Sequence, residues 1–290
     1  AARYRVRMIS GLDHIAIVVR DLDAAVRGYS AMLGLEADWI GAGGGVRQAW
    51  FQLPNAALDI ISPEGEGPFA DGLRKRLETK GEGFLAYAFK TPDIEAAVKL
   101  MNRRGLTAAT PTPLTMTAAD GRTRTWITSN LDPKSTGGLP LLLTQAADMP
   151  LSPTAADSAI TQLDHIVVLT DNVDRALAIY GAKLGLDLRL DRENPKWNAR
   201  QLFFRCGDAV VEMAARIGAD AKPDGRDRSG GLAWRVAEPH AAQARIAAAG
   251  FDVSDVRVGR KPGTHVFTVR NAPGGIPTIM LSAESKLETV

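Results

Sequence analysis

Two imidazole–carboxylate pairs stand at matching places in this chain, His14 with Asp59 and His165 with Glu212. Each histidine follows an aspartate near the head of an apolar run, in Leu12-Asp13-His14-Ile15 and again in Leu163-Asp164-His165-Ile166. Each carboxylate interrupts a later apolar run, in Leu58-Asp59-Ile60 and Val211-Glu212-Met213. Period-two alternation sets His14 beside Ala16 and Val18 on one strand face, Asp59 beside Ala57 and Ile61, and Glu212 beside Val210 and Ala214. A charge among such neighbours is costly unless it is paired, hydrogen-bonded or bound to an ion. Two chemistries meet that need. The four residues could ligate a metal, since imidazole plus carboxylate suits zinc, manganese, iron or nickel. They could instead form a buried hydrogen bond in each half with no ion at all.

Other residues are suited to move a proton or hold a substrate. His265, in Thr264-His265-Val266-Phe267, shares a strand face with Phe267 and Val269 and could line a cavity as a proton carrier near neutral pH. With Glu212 and Asp59 it makes up the expected catalytic set. His240 follows Pro239 at a helix start and is expected to face solvent. Arg47-Gln48 and Arg200-Gln201 occupy matching strand positions, and one member of each doublet must point inward. Arginine there would fork onto a carboxylate or phosphate, and glutamine would ligate or orient. Tyr87 and Trp234 match each other and are read as core residues that could also wall the cavity. The expected substrate contacts are therefore Arg47, Gln48, Arg200, Gln201, Tyr87 and Trp234. Gly43-Gly44-Gly45 has no helix start behind it, so it is a hairpin rather than a phosphate loop.

The elements that must position these residues follow from an internal repeat. Gly11–Val19 returns near Gln162–Leu169, Met32-Leu33-Gly34-Leu35 returns as Lys183-Leu184-Gly185-Leu186, and Arg47–Phe51 returns as Arg200–Phe204. Each half holds two modules of one plan: a strand, a helix stopped by glycine, then short strands. The modules span about 11–62, 83–145, 163–215 and 231–282. This predicts an α+β fold of four βαβββ units in two domains, 1–148 and 161–290, joined by a Pro/Ser/Ala-rich linker at 149–160.

Bulk composition narrows the partners. The chain has 290 residues, 45% apolar and 23% charged, with 35 basic and 33 acidic side chains for a net charge of +2. That balance argues against nucleic acid or a charged membrane surface as a partner and leaves a small molecule. Cys206 is the sole cysteine, so there is no internal disulfide and no thiolate metal site. No apolar run reaches membrane-spanning length, and a cytoplasmic location is the default expectation.

Four βαβββ units with Asp-His at the first strand and Leu-Gly-Leu after the first helix resemble the vicinal oxygen chelate superfamily of glyoxalases, epimerases, extradiol dioxygenases and antibiotic-resistance proteins. The first half is most similar to methylmalonyl-CoA epimerase, through Asp13–Leu22, Leu77–Gly83 and Asp132–Gly138. The resemblance implies two modules pairing around a cup, each giving a histidine from its first strand and a carboxylate or glutamine from its last. His14 with Asp59 and His165 with Glu212 fit that pattern. Ala86 and Leu142, and Ala233 and Ile279, stand where the other two modules would supply ligands. If modules one and three shared a cup, the four surviving residues would form one complete set. The resemblance also implies that a homodimer is possible. It implies a metal-dependent enzyme doing isomerase, epimerase or lyase chemistry next to a carbonyl. An extradiol-type dioxygenase and a metal-free binding or resistance protein are the alternatives.

Overall fold

The computed structural model of the protein describes residues 8–147, 149, 158–195, 198–217, 225–260 and 262–282. Most of the expected linker lies outside them. The first half runs β1 (Gly11–Val18), α1 (Leu22–Leu33), β2 (Trp39–Gly43), β3 (Val46–Gln52), β4 (Ala57–Ser62), α2 (Pro68–Lys80), β5 (Gly83–Lys90), α3 (Ile94–Arg103), β6 (Thr112–Ala118), β7 (Thr123–Leu131) and β8 (Leu141–Ala146). The second runs β9 (Ile160–Thr170), α4 (Val173–Ala176), β10 (Asp187–Asn194), β11 (Ala199–Cys206), β12 (Ala209–Arg216), β13 (Arg228–Val236), α5 (Pro239–Ala248), β14 (Arg257–Val258), β15 (His265–Val269) and β16 (Thr278–Ser282). The fold is α+β, as the repeat predicts.

Local chemistry explains the boundaries. The Asp21 carboxylate caps α1 by accepting from the Ala24 N–H at 2.8 Å, and Gly34 ends it in the left-handed region at φ 72°. Asn172 caps α4 in the same way, and the helix then continues as a π-helical stretch, Leu177–Lys183. Sequence periodicity gives no sign of α2. Its N-cap is Gly67 with no side-chain bond, and its apolar stripe is only Ala70, Leu73 and Leu77.

Both sheets share one strand order. The first reads β2-β3-β4-β1-β5-β8-β7-β6 and the second β10-β11-β12-β9-β13-β16-β15-β14. Module one therefore joins module two, and module three joins module four. A single set drawn from His14, Asp59, His165 and Glu212 does not form, because the pairs lie in different sheets. The sheets differ at one seam. In the first, Gly41 and Ala42 of β2 pair with Ala118 and Thr117 of β6 and close the barrel. In the second, β14 has two residues and the sheet stays open between β10 and β14.

The two halves pack through one apolar core that includes Ile15, Tyr87 and Phe89 of one sheet and Ile166, Trp234 and Met280 of the other. Polar bonds fix the fit. The Asn55 side chain donates to the Leu163 carbonyl at 2.7 Å and accepts from its N–H at 3.1 Å, as a strand neighbour would. Asp227, buried, takes Arg175 at 2.6 Å, and its N–H donates to the Gly137 carbonyl. Gly137 sits at φ 72°, and a Cβ there would lie 2.5 Å from Asp227 Oδ2. Gly137→Ala should therefore lower the urea midpoint, with about 1–2 kcal/mol lost from the left-handed backbone alone and more from the collision.

Among the described residues no helix is long and apolar enough to cross a membrane.

Candidate active site

In the second half seven side chains form one chain of contacts across the concave face. The Arg235 Nε donates to Asp164 Oδ2 at 2.5 Å. Asp164 Oδ1 lies 2.6 Å from His165 Nδ1, and His165 Nε2 lies 3.3 Å from Glu212 Oε2. The Gln201 Nε2 donates to Glu212 Oε1 at 2.5 Å, and Gln201 Oε1 accepts from Arg192 and Arg260 at 3.1 and 3.2 Å. A β-bulge makes the first link. The β9–β13 register slips at Asp164, so Ala233 opposes His165 and Trp234 opposes Leu163. That extra residue turns Asp164 toward the imidazole that follows it. Burial pushes the Asp164 carboxyl up, but its bonds to His165 and Arg235 outweigh that and hold it below the usual carboxylate range. Asp164 thus fixes Nδ1 as the protonated nitrogen and leaves Nε2 to face Glu212.

This face is open. Val167, Leu169, Phe203, Ile279 and Leu281 around the pair are each partly exposed. The His165 and Glu212 side chains keep 14% and 12% exposure, enough for a ligand to reach them.

The first half repeats the geometry in a sealed barrel. The β1–β5 register slips at Asp13, and His14 Nδ1 lies 2.7 Å from Asp13 Oδ2. His14 Nε2 is 3.8 Å from Asp59 Oδ2, which accepts from Gln48 Nε2 at 2.6 Å. Trp39, Trp50 and Trp126 fill the interior, and Ala70, Leu73 and Leu77 of α2 close it with Ala16, Val18 and Ile61. Trp39 folds over its own strand, so closely that only glycine fits at Gly41. The Arg124 guanidinium lies 3.3 Å from the centre of the Trp50 ring. A cavity of about 280 Å³ reaches Asp13, Trp50 and Arg124, but its lining does not include His14 or Asp59.

Burial pushes the Asp59 carboxyl up to about 6, against the pull of His14, Arg124 and Gln48. Its ordinary value is 3.8, so the folded state binds the proton more tightly than the unfolded chain. The resulting stabilisation is full below the ordinary value and is lost as pH rises through about 6, an effect of about 3 kcal/mol. Urea midpoints should fall between pH of about 4 and 7, and Asp59→Asn should flatten that fall. An unchanged slope in the variant would count against it.

The structure separates the expected site residues. Gln48 and Gln201 point into the cups, and their neighbours do not. Arg47 lies outside, bonded to Asp23 at 2.9 Å and Glu64 at 3.1 Å, and Arg200 lies outside on Asp191 at 2.6 Å. Neither is a cup residue, because alternation allows only one of each doublet inside. Tyr87 and Trp234 are fully buried on the opposite face of their sheets, where the Tyr87 hydroxyl meets Ser229 Oγ at 2.7 Å. They are core, not cavity wall. His265 is also corrected. It shares the helix-facing side of β15 with buried Phe267 and Val269, and its ring lies 6.1 Å from that of His240. Residue 279 faces the cup, and it pairs with Thr268, one step out of phase with His265. Cys206 is buried in the core, which pushes its thiol up to about 12. Sequence reasoning missed Asp13, Asp164, Arg124, Arg192 and Arg260. The repeated Asp-His doublet could have revealed the first two.

The donors do not fit the zinc, manganese, iron or nickel ion expected from the sequence. Among the described residues no three His, Cys, Asp or Glu side chains converge. Ala233 sits beside both His165 and Ile279, so the strands next to the second pair add no ligand. The Gln201 amide turns its NH₂ to Glu212 because its oxygen is held by two arginines, so it offers no oxygen there. Guanidinium charge stands near each carboxylate instead: Arg124 acts on Asp59, and Arg260 on Glu212.

A family model described as a glyoxalase-like domain matches residues 12–161. Another, described as the glyoxalase/bleomycin resistance protein/dioxygenase superfamily, matches residues 162–276. The ethylmalonyl-CoA/methylmalonyl-CoA epimerase of Cereibacter sphaeroides is 35% identical over 103 residues, 34% of this chain and 73% of that one. Two solved structures share the fold over nearly the whole chain. A mutant 4-hydroxymandelate synthase from Streptomyces coelicolor superposes with a TM-score of 0.67 at 14% identity, covering 94% of this chain and 92% of that one. The Mn(II)-bound glyoxalase from Novosphingobium aromaticivorans does so with a TM-score of 0.67 at 14% identity, covering 96% and 83%. At that identity they speak for fold alone.

Proposed function

This chain belongs to the vicinal oxygen chelate superfamily, with a glyoxalase-like domain in each half, and we propose that its second half is a small-molecule enzyme moving a proton at carbon next to a carbonyl. The observation that carries this is the His165–Glu212 contact of 3.3 Å on an open apolar face, set against its sealed counterpart in the first half. Glu212 takes the proton from carbon, steadied by the Gln201 amide. His165, its Nδ1–H held by Asp164, receives that proton from Glu212 at Nε2 and can return it from there to the opposite position. Isomerisation, epimerisation and lyase reactions all begin with that step. The epimerase relative acts on ethylmalonyl-CoA and methylmalonyl-CoA by its name, which makes acyl thioesters one candidate class beside 2-oxo acids. No step is routed through a metal, because among the described residues each cup offers one imidazole and one cup-facing carboxylate. The same shortage of ligands speaks against an iron-dependent ring cleavage.

The test is proton exchange. Purified protein is incubated in D₂O with a panel of acyl-CoA thioesters and 2-oxo acids, and loss of the α-proton signal is followed by NMR. Exchange that needs Glu212 supports the reading. Saturable binding without exchange across the panel would favour a metal-free binding protein instead.

A further inference from the structure

The open seam of the second sheet holds an unusual pair. Arg192 extends from edge strand β10, and Arg260 follows edge strand β14. Both guanidiniums donate to one neutral oxygen, Gln201 Oε1, from opposite sides of the gap. Like charges drawn to one point repel. Burial and the nearby Arg192 hold the Arg260 guanidinium below its ordinary range, with Glu212 pulling the other way.

Register shows what this pair replaces. In the first half the residue opposite the cup glutamine is Gly41, paired with Gln48, and Gly41 closes the barrel by pairing with Ala118. In the second half the residue opposite the cup glutamine is Arg192, paired with Gln201, and β14 does not reach it. Backbone closure in one copy has become a pair of facing cations in the other. The surface beside them is apolar. Arg192 lies 5.3 Å from the centre of the Phe203 ring, and Val167, Leu169 and Ile279 continue the face toward His165.

We propose that this seam is an anion clamp: Arg192 and Arg260 together grip the carboxylate or phosphate of an organic acid whose apolar body lies across Phe203 and Leu169 toward His165 and Glu212. Two planar donor forks facing each other suit a group with two or three acceptor oxygens, and a bound anion cancels their repulsion. The anion also ties β10 to the segment after β14, doing for this sheet what the Gly41–Ala118 pairing does for the other. This deepens the proposed function by naming the substrate class, and it depends on that reading only for the reaction.

Benzoate and phenyl phosphate are the probes, with benzamide as the neutral control, titrated calorimetrically at low ionic strength. Wild-type protein should bind one or both anions saturably and benzamide at least about tenfold more weakly. Arg192→Gln and Arg260→Gln should each weaken binding by about tenfold or more, and added salt should weaken it further. Arg200→Gln, on the outer face, should leave it unchanged. The preferred probe tells carboxylate from phosphate. Hydrogen exchange at Leu188–Asp191 and Val258 should slow when the anion is bound, a change that mere local packing by the arginines would not give. Glu212→Gln should keep anion binding while losing proton exchange, so the two claims fail separately. Equal affinity for benzamide, no binding by the wild type, or unchanged affinity in the double arginine variant would overturn the clamp.

Discussion

Glu212→Gln should lower α-proton exchange by about 10²- to 10⁴-fold, the usual worth of a positioned general base. The swap keeps size and hydrogen-bonding shape and removes only the ability to take a proton. Gln201 would still meet it, at some cost in orientation, because its amide must now face another amide. His165→Ala should fall similarly, since it removes the partner 3.3 Å away. His14→Ala is the contrast. Its imidazole has 7% side-chain exposure inside a filled barrel, so exchange should stay within about twofold if the fold holds. NMR in D₂O reads all three variants. Equal losses from His14→Ala and His165→Ala would place the chemistry in both halves and sink the assignment.

Arg124→Met should cost about 1–3 kcal/mol of stability near pH 8, because the guanidinium offsets buried carboxylate charge through space. Arg124 is 9% exposed, and its charge acts on both Asp59 and Asp13. Its loss strands carboxylates inside an apolar barrel. The penalty should shrink near pH 5, because Asp59 takes up its proton at about 6 and no longer needs the cation. Combining Arg124→Met with Asp59→Asn should recover much of the loss. Urea unfolding at the two pH values checks this. A penalty independent of pH would mean that the Trp50 stacking, not the charge, is what the arginine contributes.

The architecture was legible because the repeat is written in apolar periodicity, which survives as long as the strands must pack. His14, Asp59, His165 and Glu212 were legible for the same reason: each is a polar break in a buried run. Their grouping was not. Which modules share a sheet depends on contacts distant in sequence, and the choice fell against a single four-ligand set. Arg47 and Arg200 illustrate a second limit. Alternation says that one of two neighbours points inward but not which, and a bulge such as that at Asp13 or Asp164 resets the phase. His265 was misplaced because its apolar neighbours fit a helix-facing side as well as a cavity. Arg192 and Arg260 carry no sequence signal, since an exposed strand-edge arginine is ordinary until its partner across the gap is known. α2 was hidden by its weak apolar stripe.

Closure of one seam and not the other gives the duplicated copies different tolerances to change. Inside the finished cylinder every neighbour of His14 is already in contact, so a new side chain there is judged by whether it fits. Along the unfinished one, a new side chain between β10 and β14 meets solvent or cargo, and is judged by what it attracts. Drift in this lineage can therefore alter selectivity through one copy while the other preserves the shape that both halves lean on.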